Sequence, residues 1–185
     1  MLFDQSIIID ESLNDDMMTM ALTGERVRYS LRLKPADVME AKKASGLKLP
    51  GKIGASVIMA SRTILCLGPN EWLLIATPKV GEKLAAAMEK LSRQFVCSAV
   101  EISHRNLQFT VSGPGAARAL NSACPLDLSL SAFPVGKCTR TIFEGAPIVL
   151  WRTGEDEFTV EVWRSFAPYL RDFLAKTAKD RHMAG

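Results

Sequence analysis

Long apolar runs are missing from this chain. Arg, Lys, Glu or Pro interrupts each apolar stretch well short of the roughly 18 residues needed to span a membrane, so a soluble protein is expected. Charge of one sign is lacking too: 23 basic and 20 acidic residues are interspersed, for a net charge of +3. Without a basic stripe to neutralise phosphates, nucleic acid is not an expected partner. Histidine is scarce, with only His104 and His182, and the four cysteines (Cys66, Cys97, Cys124, Cys138) show neither C-x-x-C nor Cys/His metal spacing. Their apolar neighbours point to buried reduced thiols of an intracellular protein. The start, Met1 to Ser12, sets Asp4, Asp10 and Glu11 around the short run Ile7-Ile8-Ile9 and lacks the basic beginning and longer apolar stretch of a secretory signal. A cytoplasmic location is the expectation.

What is present is 48% hydrophobic residues in 185, enough for one sizeable core or for two small modules. Tyr29, Leu31 and Leu33 alternate with Arg28, Ser30 and Arg32, the period of a strand with one buried face. Pro35, Asp37 and Gly46 then frame a helix over Ala36 to Ser45, and Leu47 to Ser61 reads as loop. Ile64–Leu67 and Trp72–Ile75 flank Gly68-Pro69-Asn70-Glu71 as a hairpin with a four-residue loop. Val80, Leu84, Met88, Leu91 and Phe95 fall on one helix face.

The same order recurs. Strands are predicted over Cys97–Ile102 and around Leu107, Phe109 and Val111, and Ser112-Gly113-Pro114 opens a helix that Pro125 closes. Strands then follow at Thr139–Phe143, Ile148–Trp151 and Phe158–Trp163, and a last helix has Phe166, Tyr169, Leu170, Phe173 and Leu174 on one face with Ser165 as N-cap. Gly154-Glu155-Asp156-Glu157-Phe158 takes the place of Gly68-Pro69-Asn70-Glu71-Trp72. This is an internal pseudo-repeat of an α+β fold, two ferredoxin-like split β-α-β half-modules. The expected organisation is a segment of unclear structure over 1–25, then one domain over 26–185 with halves at about 26–103 and 104–185.

Candidate chemistry is thin. Gly113-Pro114-Gly115-Ala116-Ala117-Arg118 lies where a phosphate-binding glycine loop would lie, but Arg118 replaces the third small residue and Pro114 removes a donor. A helix beginning with Pro explains the same residues. Ser103-His104, with Cys124 imagined as a thiol partner for the histidine, invites a nucleophile-and-base reading but has no G-x-S-x-G elbow, and a solvated or hydrogen-bonded turn residue is the favoured reading of His104. Glu155, Asp156 and Glu157 make a solvated turn rather than a convergent oxygen cage. Arg164-Ser165 is an anion site only if capping does not account for Ser165. Trp72, Trp151 and Trp163 are assigned to core, unless one is exposed as a partner anchor.

Leu67-Gly68-Pro69-Asn70-Glu71-Trp72-Leu73-Leu74, Val100-Glu101-Ile102-Ser103 and above all Cys124-Pro125-Leu126-Asp127-Leu128 with Ala132-Phe133-Pro134-Val135-Gly136-Lys137-Cys138 resemble the gamma subunit of heterotetrameric sarcosine oxidase. Ala146-Pro147-Ile148-Val149-Leu150 and Arg164-Ser165-Phe166-Ala167-Pro168-Tyr169-Leu170 extend the resemblance from about Arg28 to the final helix, while Glu101 stands where the family usually has Asp. The resemblance implies a fold like the folate-binding part of the glycine-cleavage aminomethyltransferase. It implies a non-catalytic subunit of a complex that oxidatively demethylates sarcosine, using oxygen and giving glycine, hydrogen peroxide and formaldehyde or methylenetetrahydrofolate. FAD, FMN, NAD, zinc and tetrahydrofolate would belong to the alpha, beta and delta subunits, with alpha in direct contact. No catalytic, cofactor-binding or metal residue carries over to this chain. A free-standing folate-binding one-carbon transfer protein is the alternative, and a ligand-sensing module at the pseudo-repeat a third reading.

Overall fold

The computed structural model describes residues 13–15 and 17–182, so the acidic and apolar start at Met1–Ser12 and the end at 183–185 lie outside the described residues. Two compact units are formed. One takes the residues up to Gly24, Arg105–Val135 and those from Arg140 onward; the other takes Glu25–His104 and Gly136–Thr139.

The second unit is built on β3 (Val27–Leu33), whose Tyr29, Leu31 and Leu33 are buried as the alternation predicts. A 3-10 turn over Pro35–Asp37 leads into α1 (Val38–Ser45), which ends on Gly46 in the left-handed conformation, φ 70°. Then come β4 (Ser56–Met59), β5 (Arg62–Gly68), β6 (Glu71–Ala76), α2 (Gly81–Gln94) and β7 (Cys97–Glu101), in the sheet order β4-β5-β6-β3-β7. All pairings are antiparallel. Apart from β4 this is the ferredoxin-like order, with the first strand central and the helices on one face. Leu31, Ile64, Cys66, Trp72 and Leu74 from the sheet pack with Ala41, Leu84, Met88 and Leu91 from the helices. Each fully buried Leu-sized side chain contributes about 1.5–3 kcal/mol.

The strand β4 corrects the expectation of loop from Leu47 to Ser61. Its Ile58 is exposed and its other residues only half-buried, so this edge strand has no alternation to read; its pairing with Arg62–Leu65 defines it. Leu47 and Leu49, just before it, are buried, and the Trp72 indole donates to the Pro50 carbonyl at 2.8 Å. The hairpin loop is also tighter than expected, with only Pro69 and Asn70 between the strands.

In the first unit, β8 (Asn106–Ser112), α3 (Ala116–Asn121), β9 (Cys138–Phe143), β10 (Ala146–Gly154), β11 (Glu157–Trp163) and α4 (Ala167–His182) repeat the pattern. The hairpins match in detail: register shifts between Cys66 and Gly68 in one and between Arg152 and Gly154 in the other, each before a two-residue loop. With β1 (Leu13–Asp15) and β2 (Met18–Leu22), two early strands that the sequence pattern did not reveal, the sheet order is β1-β2-β8-β11-β10-β9. The fourth ferredoxin position, beside β8, is filled by β2, with β1 outside it. Met18 and Met20 enter a core of Phe109, Val111, Leu120, Phe143, Leu150, Phe158, Val160, Leu170 and Leu174. A five-residue strand with two methionines carries too short a period to be read without its partner.

The last helix also starts differently. A 3-10 turn over Arg164–Phe166 precedes α4, with Trp163 at the flanking position and no side-chain cap, so Ser165 sits inside the turn rather than capping it.

Gly113 shows why β2 fits. Its φ is +109°, and a Cβ there would lie 2.6 Å from the Met17 carbonyl oxygen, which accepts the Gly115 N–H at 2.8 Å. Gly145, at φ +136°, has open space around the same position. Gly113→Ala is expected to lower the unfolding free energy in urea by more than Gly145→Ala, which carries only conformational strain of about 1–3 kcal/mol. Equal losses would mean that the β2 contact contributes nothing.

Candidate functional site

Ser103 Oγ accepts the Arg28 backbone N–H at 3.0 Å and donates to Glu101 Oε1 at 2.7 Å. The buried Arg28 side chain donates to the carbonyls of Arg26 (3.1 Å) and Ser103 (3.2 Å). The hydroxyl proton is thus committed to a carboxylate, and Ser103 latches the residues after β7 to β3. Burial raises the Tyr29 phenol, and the neighbouring Glu101 adds to the rise by charge and by hydrogen bonding.

Cys124 is buried, with its Sγ directed at Thr141 Oγ1 at 3.8 Å. Burial pushes its thiol up despite the Thr141 contact, so it is a thiol and not a thiolate at neutral pH. In the glycine loop, the Gly113 N–H donates to the Asp156 carbonyl and the Ala116 N–H to the Gly113 carbonyl, both at 2.9 Å. Together with Gly115 bonded to Met17, the donors a phosphate would need are engaged within the chain. Glu155, Asp156 and Glu157 are exposed, and among the described residues no group of three or more potential ligands could hold a metal ion. Trp72 and Trp151 are core residues at 2% exposure each, whereas Trp163 is 43% exposed.

The side chain that organises this region is Arg152, which sequence reasoning passed over. It is 2% exposed, lies 4.5 Å from the Phe158 ring centroid, and donates through Nη1 to Phe133 O (2.8 Å) and through Nη2 to Leu128 O (2.9 Å). Burial lowers its pKa, opposed by the charges of Asp156 and Glu155. A guanidinium starts so high that it remains charged. Around it, Asn121 Nδ2 donates to Leu126 O at 2.5 Å, its Oδ1 accepts the Leu128 N–H at 3.3 Å, and Asp127 accepts the Ser129 N–H at 2.8 Å. Cys124, Leu128 and Phe133 point inward, while Leu130, Pro134 and Val135 are exposed. Side-chain hydrogen bonds thus take the place of a regular backbone ladder in this irregular stretch. Arg152 does leave a signal: it occupies the same strand parity as the core residues Ile148 and Leu150.

Residues 136–139 close the block within the other unit. Ala55 and Lys137 form an antiparallel bridge, Ser56 donates N–H (3.0 Å) and Oγ–H (2.7 Å) to Gly136 O, and the Cys138 N–H donates to Gly54 O at 2.8 Å. Gly54 is at φ +81°, and a Cβ there would come within 3.2 Å of the Cys138 carbonyl oxygen. Cys138 Sγ donates to Ala55 O at 3.4 Å, and its burial pushes the thiol up to about 12. The backbone of the block that carries the resemblance is therefore held by hydrogen bonds with Arg152, Asn121, Asp127 and Ser56.

The Sarcosine oxidase, gamma subunit family matches residues 32–180. This chain belongs to that family. It is 32% identical over 169 residues to the sarcosine oxidase subunit gamma of Corynebacterium sp. (strain U-96), covering 89% of this chain and 80% of that one. Among solved structures, a chain of the heterotetrameric sarcosine oxidase from Corynebacterium sp. U-96, in complex with pyrrole 2-carboxylate, superposes with a TM-score of 0.80 at 24% identity, over 95% of this chain and 91% of that one. The glycine cleavage system aminomethyltransferase T from Bartonella henselae follows at 0.64 and 17% identity. The match covers 84% of this chain but 44% of the aminomethyltransferase, so the likeness is one of fold. The aminomethyltransferase-like α+β fold is the one the family residues implied.

Two measurements test the framework. Arg152→Met is expected to lose about 2 kcal/mol or more of stability in urea unfolding, since the Leu128 and Phe133 carbonyls lose their donors; an unchanged midpoint would show the guanidinium to be dispensable. The Cys138 thiol is neutral in both states below its ordinary value of 9.0, and between there and about 12 only the unfolded chain ionises. Stability should thus fall as pH rises above 9, and Cys138→Ala should show a shallower fall.

Proposed function

We propose that this chain is a non-catalytic structural and assembly subunit of a heterotetrameric sarcosine oxidase, an oxidoreductase that oxidatively demethylates sarcosine. The products are glycine, hydrogen peroxide and formaldehyde or, with tetrahydrofolate, methylenetetrahydrofolate. FAD, FMN, NAD, zinc and the folate site reside in the alpha, beta and delta subunits, and alpha is the subunit this chain touches. Family membership supports the assembly. One observation supports the non-catalytic role: the two candidate nucleophiles are engaged, Ser103 by the Arg28 N–H and the Glu101 carboxylate, and Cys124 as a buried thiol against Thr141. A nucleophile or base needs a free proton route and an approach for substrate. The family block serves the backbone too, through Arg152 and residues 136–139.

Co-expression with the alpha, beta and delta subunits, with and without this chain, tests the reading. Omission is expected to cut the yield of complex in size-exclusion chromatography and the sarcosine-dependent peroxide production with it, while the isolated chain shows no turnover. Assembly and turnover unchanged without this chain would overturn the proposal.

A further inference from the structure

We draw no further inference here: the strongest candidate, the exposed surface patch around Trp163 at the end of β11, is an unpartnered face, and nothing in the structure shows what covers it.

Discussion

Each unit depends on a central strand that must be paired on both sides. In one it is β3, between β6 and β7; in the other it is β8, between β11 and β2. A central strand left with one open side would expose a row of backbone donors and acceptors and half of a sheet that the helices are meant to cover. The seven-residue register from Asn106↔Trp163 to Ser112↔Glu157 aligns Phe109 and Val111 with Phe158, Val160 and Val162 on the helix face. It also carries Trp163 to the strand end.

The two units solve the pairing problem differently. β7 follows α2 directly, as the ferredoxin-like order requires, whereas the place beside β8 is taken by β2 from near the start of the chain. Gly113 is the local consequence, since only a residue without Cβ allows the Met17 backbone so close. The long-range pairing makes the early residues part of the fold.

Buried polarity follows a consistent rule. The buried Arg28 and Arg152 donate to main-chain carbonyls and the half-buried Ser103 bonds the Arg28 N–H and Glu101, so these groups fix the backbone, although Arg152 Nε is buried without a hydrogen-bond partner among the described residues. Residues of this kind look like chemistry in a sequence because Ser beside His, or Cys beside an apolar stretch, is how reactive groups also appear. What separates the two is where the proton goes, and for Ser103 it goes to Glu101.

The sequence by itself determined the α+β class, the pseudo-repeat, the helix face of Leu84, Met88 and Leu91, and the family, because these rest on local periodicity and on contiguous blocks such as Cys124 to Cys138. Only the tertiary structure decided that β2 completes the second sheet, that β4 is a strand, that Arg152 holds the family block, and that Trp163 alone of the tryptophans is exposed. β2, Arg152 and Trp163 depend on partners far along the chain, whereas β4 pairs with the neighbouring Arg62–Leu65 and is hidden because its half-buried residues do not alternate. A strand's register and a side chain's burial belong to the pair and not to either member, so no window along the chain contains the distant three.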